Sequence, residues 1–161
     1  MGRASLLSSY EGILDSAKIG NGGWSVVEGD EYRSARWDMR PKFAHYSPTH
    51  LLVTSVIWDH ADVYPTQQSY IQTFQQLIKS IPQNGLIIAN TDDKTVAHLI
   101  TLSPYHPITY GQTANCDYHY KSVSQNKIGI AFDLIHGDQM YHITSPMLGD
   151  YQAANIAGAF A

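Results

Sequence analysis

Apolar and polar positions follow two rhythms along this chain. Leu51 to Ile57 is an unbroken, β-branched apolar run, the pattern of a strand buried on both faces. From Gln67 to Ile81 the apolar residues Tyr70, Ile71, Phe74, Leu77, Ile78 and Ile81 recur at spacings of three and four. That spacing predicts an amphipathic helix, closed by Pro82. Leu86 to Asn90 predicts a second buried strand, and Thr91 to Leu102 a helix whose Asp92 and Asp93 suit its positive end. Upstream, the turn signal Gly20-Asn21-Gly22-Gly23 leads into a short strand, Trp24 to Glu28. Strands alternating with helices predict a parallel α/β sheet.

After Pro107 the rhythm shortens to period two. Ile108–Tyr110, Tyr118–Val123, Ile128–Ile135 and Met140–Thr144 read as strands, the last two joined across Gly137-Asp138, a two-residue hairpin signal. An antiparallel addition to the sheet is expected. Tyr151 to Ala161 reads as an apolar helix with neither a C-cap glycine nor a basic last turn. It looks cut short, so the chain is expected to be a piece of a larger protein.

At 161 residues the chain is expected to form one domain, residues 1–161. With 43% hydrophobic and 15% charged residues it has the composition of a folded core. Ten basic against fourteen acidic residues leave a net charge of −4, which argues against a nucleic-acid partner. No apolar run approaches the roughly 20 residues of a membrane span, and the N-terminus carries no signal-peptide core, so no membrane role is expected. The lone Cys116 excludes an internal disulfide framework and a cysteine-based zinc site, and fits a reducing, cytoplasmic home.

Three clusters could carry chemistry. Glu28-Gly29-Asp30-Glu31 places three carboxylates just past a strand end, where ligands of open α/β sheets bind. Such hard oxygens suit Mg²⁺, although a solvated acidic turn explains the same residues. Asp59-His60-Ala61-Asp62 follows the next predicted strand, so the two acidic clusters could converge, with His60 a metal ligand or a capping histidine. Arg33, Arg36, Arg40 and Lys42 gather four of the ten basic residues. They could meet phosphates, but Arg33 and Arg36 read better as a solvated face. There is no GxxxxGK[ST] loop, no GxGxxG fingerprint and no GxSxG elbow.

Several segments, taken in order, resemble the central domain of the Mur ligases. These are Val27-Glu28-Gly29-Asp30-Glu31-Tyr32, Asp38-Met39-Arg40-Pro41-Lys42-Phe43-Ala44-His45-Tyr46, Trp58-Asp59-His60-Ala61-Asp62-Val63-Tyr64, Asn90-Thr91-Asp92-Asp93, and Pro146 through Asn155. The resemblance runs from about Ile13 to the end of the chain. It implies a three-layer α/β central domain related to the P-loop NTPases, with parallel and antiparallel strands and without the phosphate-loop segment. It further implies an ATP-dependent amide ligase using ATP and Mg²⁺ in peptidoglycan recycling. Its partners would be UDP-N-acetylmuramate and a murein tripeptide, with L-alanine the alternative acceptor. By motif, Glu28 and His60 match the family's metal ligands, and Asn155 matches an asparagine that contacts adenine.

Gly149-Asp150-Tyr151-Gln152 departs from the family's Gly-x-His-Asn at that point, which weakens part of the adenine contact. The chain alone is expected to carry no ligase activity and to self-associate through an exposed sheet edge. Two other readings stand beside this one. The first is a metal-dependent hydrolase built on Glu28, Asp59, His60 and Asp62, and the second is a non-catalytic interaction module.

Overall fold

The computed structural model describes residues 22–161, together with the backbone of Gly2–Arg3 and Lys18–Ile19. The chain divides into two compact units, Met1–Phe43 and Ala44–Ala161. In the first unit, β1 (Gly2–Arg3) pairs antiparallel with β2 (Lys18–Ile19). Further on, β3 (Arg33–Ala35) and β4 (Asp38–Pro41) form an antiparallel hairpin whose two-residue turn is Arg36-Trp37. A single 3-10 turn, Lys42–His45, leads out of it.

The second unit is built on one mixed six-stranded sheet. Its strands are β5 (His50–Val53), β6 (Leu86–Asn90), β7 (Ile108–Gly111), β8 (Tyr118–Asn126), β9 (Gly129–His136) and β10 (Gln139–Ser145), in spatial order β10-β9-β8-β7-β6-β5. The helices are α1 (Gln67–Ser80), α2 (Lys94–Ile100) and α3 (Tyr151–Phe160). Successive strand residues face opposite sides. Ile88 of β6 packs into the cluster that Tyr110, Phe132 and Leu134 form with Ala153 and Ala157 of α3. Its neighbours Ile87 and Ala89, both buried, face the other way, where α2 packs on β6 and α1 on α2. Helices therefore lie on both faces of the sheet.

Local chemistry explains the element ends. At the start of α1 a reciprocal capping box joins Thr66 and Ser69: the Ser69 amide donates to Thr66 Oγ1 (3.1 Å) and the Thr66 amide to Ser69 Oγ (3.4 Å). Ile81 caps the other end in extended conformation just before Pro82, as the sequence requires. Between β9 and β10 only Gly137 of the Gly137-Asp138 turn has positive φ (56°), the type II′ pattern that the right-handed sheet twist favours.

Four expectations need correction. Trp24 to Glu28 is not a buried strand: only Val26 forms an isolated bridge, and Trp24, Val26 and Val27 are exposed. The run from Leu51 to Ile57 is strand only through Val53, and Ile57 is 71% exposed. The ladder to β6 ends at Val53–Ala89, and past it no partner amides hold the chain extended. The helix expected from Thr91 begins at Lys94, because Asp93 is its cap rather than part of its first turn. Lastly, the segment after Pro107 is not wholly antiparallel. β8 runs parallel to β7, with Tyr110 opposite Tyr118, and only β8, β9 and β10 are mutually antiparallel. Gly20, Asn21 and the Ile13 start of the resemblance lie outside the described residues.

Candidate functional site

Four parallel strands place their carboxyl ends on one edge of the sheet in the second unit. Ligands of open α/β sheets bind at that edge. Its centre is the loop Asn90-Thr91-Asp92-Asp93 at the end of β6. Asp93 caps α2, its Oδ1 accepting from the amides of Thr95 (2.7 Å) and Val96 (3.0 Å). Its Oδ2 accepts from the Val56 amide (2.9 Å), which ties down the chain leaving β5. Asp92 turns the other way. It accepts from the Gln112 amide at 2.8 and 3.0 Å and from the Tyr120 hydroxyl at 2.9 Å, joining the ends of β7 and β8. Gly111 permits this closeness, since a Cβ there would stand 2.7 Å from Asp92 Oδ1. Burial first, and then the hydrogen bond to Asp92, push the Tyr120 phenol well above its ordinary range. Thr91 Oγ1 meets Cys116 Sγ at 2.9 Å, and Thr113 Oγ1 meets the same sulfur at 3.1 Å.

His60 sits at this edge, in the segment that Asp93 anchors. It is half-buried and adopts φ 54°, a left-handed conformation uncommon outside glycine. The turn around it is closed by hydrogen bonds. Asp59 Oδ1 accepts from the His60 amide (2.6 Å), and the His60 carbonyl accepts from the amides of Val63 and Tyr64 (both 2.8 Å). Trp58 Nε1 donates to the Tyr64 carbonyl (3.1 Å), and the buried Tyr64 ring meets Tyr70 of α1 edge-on at 5.0 Å. The imidazole is thus presented from a braced turn. Strained backbone held by its surroundings is characteristic of functional positions.

Asn155 lies on the exposed side of α3, its Nδ2 donating to Gln152 Oε1 one turn earlier (3.3 Å). The approach to α3 is fixed by Gly149, at φ 104°, whose amide donates to Gln125 Oε1 of β8 (3.0 Å). Because β8 runs parallel to β7 and past its end, the β8–β9 turn also projects on this edge. An open cleft of about 270 Å³ lies there, lined by Asn126, Ile128, Gly129, Thr144, Ser145 and Pro146 among others.

Glu28 belongs to the first unit. It is exposed, and its carboxylate enters no hydrogen bond or ion pair among the described residues. Its neighbour Asp30 is fully engaged. Asp30 Oδ1 accepts from the Tyr32 amide (2.8 Å), and Oδ2 pairs with Lys42 Nζ (2.5 Å). Arg40 is likewise paired with Asp38 (2.7 Å). These two cations, which on sequence could meet phosphates or form a solvated face, are committed to neighbouring acids. Among the described residues no three His, Cys, Asp or Glu side chains gather to hold a metal unaided. Mg²⁺ needs no such cage, because it keeps waters and phosphate oxygens and takes one or two protein groups. The carboxylate of Glu28 is a donor of that kind. Sequence reasoning missed Asp92, Asp93, Gln112 and Gln125 as the residues that shape this edge.

Comparisons with known proteins agree on one family. Residues 29–161 match the sequence profile of the Mur ligase middle domain. A UDP-N-acetylmuramate–L-alanyl-γ-D-glutamyl-meso-2,6-diaminoheptandioate ligase of Haemophilus influenzae is 32% identical over 87 residues, 54% of this chain and 19% of that protein. A UDP-N-acetylmuramate–L-alanine ligase of Granulibacter bethesdensis is 28% identical over 91% of this chain and 31% of its own length. Among solved structures, the UDP-N-acetylmuramate:L-alanyl-γ-D-glutamyl-meso-diaminopimelate ligase of Neisseria meningitides superposes with a TM-score of 0.74. It shares 20% identity, across 94% of this chain and 48% of that one. MurF ligase of Thermotoga maritima in complex with ADP gives a TM-score of 0.55 at 17% identity, over 70% of this chain and 26% of that one. These likenesses show the α/β fold expected from the sequence. The chain spans well under half the length of the curated relatives it matches.

Proposed function

The chain belongs to the Mur ligase family through that family's middle domain, and from that membership we propose that it is part of an ATP-dependent ligase. The ligase joins the carboxylate of UDP-N-acetylmuramate to the amine of a murein tripeptide. The observation that carries this reading is the family match across residues 29–161. The tripeptide as acceptor is supported by the Haemophilus relative, 32% identical over 54% of this chain. L-alanine is the alternative acceptor.

In this reading ATP phosphorylates the muramyl carboxylate, ADP leaves, and the acceptor amine displaces phosphate to form the amide. By the family motif, Glu28 and His60 would hold Mg²⁺, and Asn155 would contact the adenine of ATP. Mg²⁺ bound there would supply charge neutralisation on the transferring phosphoryl group. Glu28 offers a carboxylate uncommitted among the described residues, and the hydrogen-bonded turn holds the backbone of His60. Asp93 keeps the segment carrying His60 close to the sheet edge. The ADP-bound MurF neighbour supports nucleotide binding by this fold.

The test uses the gene product that carries this chain, supplied with UDP-N-acetylmuramate, ATP and Mg²⁺. Phosphate release is compared with L-alanine and with the tripeptide. Release with the tripeptide alone is the expected result, release with L-alanine alone moves the acceptor, and release with neither overturns the proposal. Glu28→Gln and His60→Ala should each raise the Mg²⁺ concentration needed for half-maximal rate by about tenfold or more. An unchanged Mg²⁺ dependence in both removes them as ligands.

A further inference from the structure

Among the described residues the six-stranded sheet ends on β10, which pairs with β9 on one side only. The register fixes which of its backbone groups face outward. The two-residue turn Gly137-Asp138 makes His136 and Gln139 a hydrogen-bonded pair, and such pairs alternate along an antiparallel ladder. Gln139, Tyr141, Ile143 and Ser145 therefore bond to β9. Met140, His142 and Thr144 turn their N–H and C=O groups away from the sheet.

An open edge is a template for another strand, and natural sheets guard it with charge, proline, a bulge or a short strand. Gln139 to Ser145 contain no Lys, Arg, Asp, Glu or Pro, and the pairing with β9 runs without a shift. At the far side of the sheet β5 has only four residues, whereas β10 has seven. Side chains of β10 also carry the core out to the edge. Tyr141 and Ile143 pack on the cluster beneath α3. The Phe160 ring, 45% exposed, lies 4.9 Å from that of Tyr141. On the opposite face Met140 is 65% exposed. His142 Nδ1 meets Asp133 Oδ1 of β9 at 3.0 Å, so the imidazole is drawn back from the edge.

The strand is its own complement. Antiparallel pairing of two copies about His142 sets each His142 opposite the other and each Met140 opposite Thr144 of the second copy. Every outward residue then meets an outward residue. Tyr141 falls opposite Ile143 on the face that continues the core, where an aromatic and a β-branched side chain pair favourably. Asp138, the nearest charge, falls opposite Pro146 rather than opposite its own copy. Any other centre pushes at least one outward residue past the end of β10.

We propose that two copies of this chain join antiparallel along β10, with the two-fold axis at His142, into one continuous sheet. The strand contact is seven residues a side, well short of the roughly 20–30 of a standard interface. The dimer should therefore be weak, half-formed at about 10–100 µM.

Two measurements on the gene product that carries this chain test it. Light scattering from about 1 µM to about 1 mM should show the mass rise from one copy to two. His142→Pro removes an outward N–H and no bond to β9, so it should hold the mass at one copy, with circular dichroism to check its fold. The second measurement does not depend on that variant folding. On oxidation, His142→Cys should form a disulfide-linked dimer beyond any seen in wild type. Hydrogen-bonded partners stand about 5.5 Å apart between Cα atoms, within the roughly 4.4–6.8 Å that a disulfide spans. Met140→Cys should form none, because the two substituted positions would stand about 13 Å apart along the ribbon. Cross-linking at both positions or at neither, a mass of one copy at the highest concentration, or a dimer that a folded His142→Pro leaves intact would each overturn the proposal.

Discussion

Asp93 is the residue whose loss should most weaken the site's frame. Alanine at this position removes three hydrogen bonds at once. Two cap α2, at 2.7 and 3.0 Å, and losing such a cap costs about 1 kcal/mol. The third is the Val56 amide at 2.9 Å, in a residue only 3% exposed. Left without a partner, that buried N–H costs about 1–3 kcal/mol. Asp93→Ala should therefore lose about 3 kcal/mol, or roughly 6–12 °C in Tm for a domain of this size. Asp93→Asn divides the total. Its carbonyl keeps the cap, but its NH₂ points a donor at the Val56 N–H, so about 1–2 kcal/mol should go. Urea melts followed by circular dichroism give both values, with an unchanged slope as the sign of intact two-state unfolding. Hydrogen exchange at Val56 should accelerate in both variants. An asparagine variant as stable as wild type would refute the argument, since the 37-residue link between Asp93 and Val56 would then carry nothing.

Tyr110 makes an opposite prediction. It is fully buried, and its hydroxyl has no hydrogen-bond partner among the described residues. Tyr110→Phe should raise stability by about 1 kcal/mol, and a measured loss would place a bridging water at the hydroxyl. Burial first, and then Asp92, push the Tyr110 phenol up to about 12. Its contribution is present below pH 10 and is lost as pH rises toward 12, so an alkaline melt should lose part of its slope in Tyr110→Phe. Gly158→Ala should cost about 1–2 kcal/mol despite alanine's better helix propensity, because a Cβ there would stand 2.6 Å from the Tyr110 ring. A neutral or stabilising result by thermal melt would show that α3 shifts freely. For Asp117, burial raises the pKa, but hydrogen bonds from the Thr109 amide and hydroxyl and the nearby His106 outweigh it and hold the carboxyl below its usual range. That stability is present above the ordinary carboxylate pKa near 3.9 and is lost as pH falls through the lower folded value. Asp117→Asn should flatten the acid limb of stability against pH, and an identical limb would exclude this cause.

Elements fixed by local spacing were legible in the chain. α1 follows its three-and-four periodicity, and its ends are set by Thr66, Ser69 and Pro82, all within a few residues. The β9–β10 hairpin follows from Gly137 for the same reason. What failed depended on partners distant in sequence. β5 stops where its ladder to β6 stops, although its apolar run continues to Ile57. The alternation in Tyr118–Val123 marks a strand but carries no information on whether its neighbour runs parallel, and β7 does. Asp92 and Asp93 look from the sequence like acids suited to a helix dipole. Asp93 does cap α2, but its further partner Val56 and the Asp92 partner Gln112 lie 37 and 20 residues away.

The same principle sorts the acids of the candidate site. A carboxylate can bind a metal or substrate only with oxygens that the fold has not already used. Asp30, Asp38, Asp59, Asp92, Asp93, Asp117 and Asp133 all spend oxygens on amides, hydroxyls, cations or an imidazole. These residues shape the surface and are poor ligands for anything arriving from solvent. Glu28, Asp138 and Asp150 are not spent in this way among the described residues. Asp138 occupies the β9–β10 turn, at the opposite end of the sheet from the carboxyl ends of the parallel strands. Asp150 stands at the start of α3 without capping it, so its side chain makes no cap hydrogen bond there. The motif picks out Glu28 from residue identity alone, and among the described residues its carboxylate is one of those the fold leaves uncommitted. If Glu28 is the ligand, restoring a free carboxylate one residue away should not replace it. Glu28→Gln combined with Gly29→Asp should stay as impaired in Mg²⁺ dependence as Glu28→Gln alone, because a donor displaced by one residue points elsewhere along the backbone. Recovery in the double variant would mean that the cluster's charge, rather than the position of one carboxylate, holds the ion.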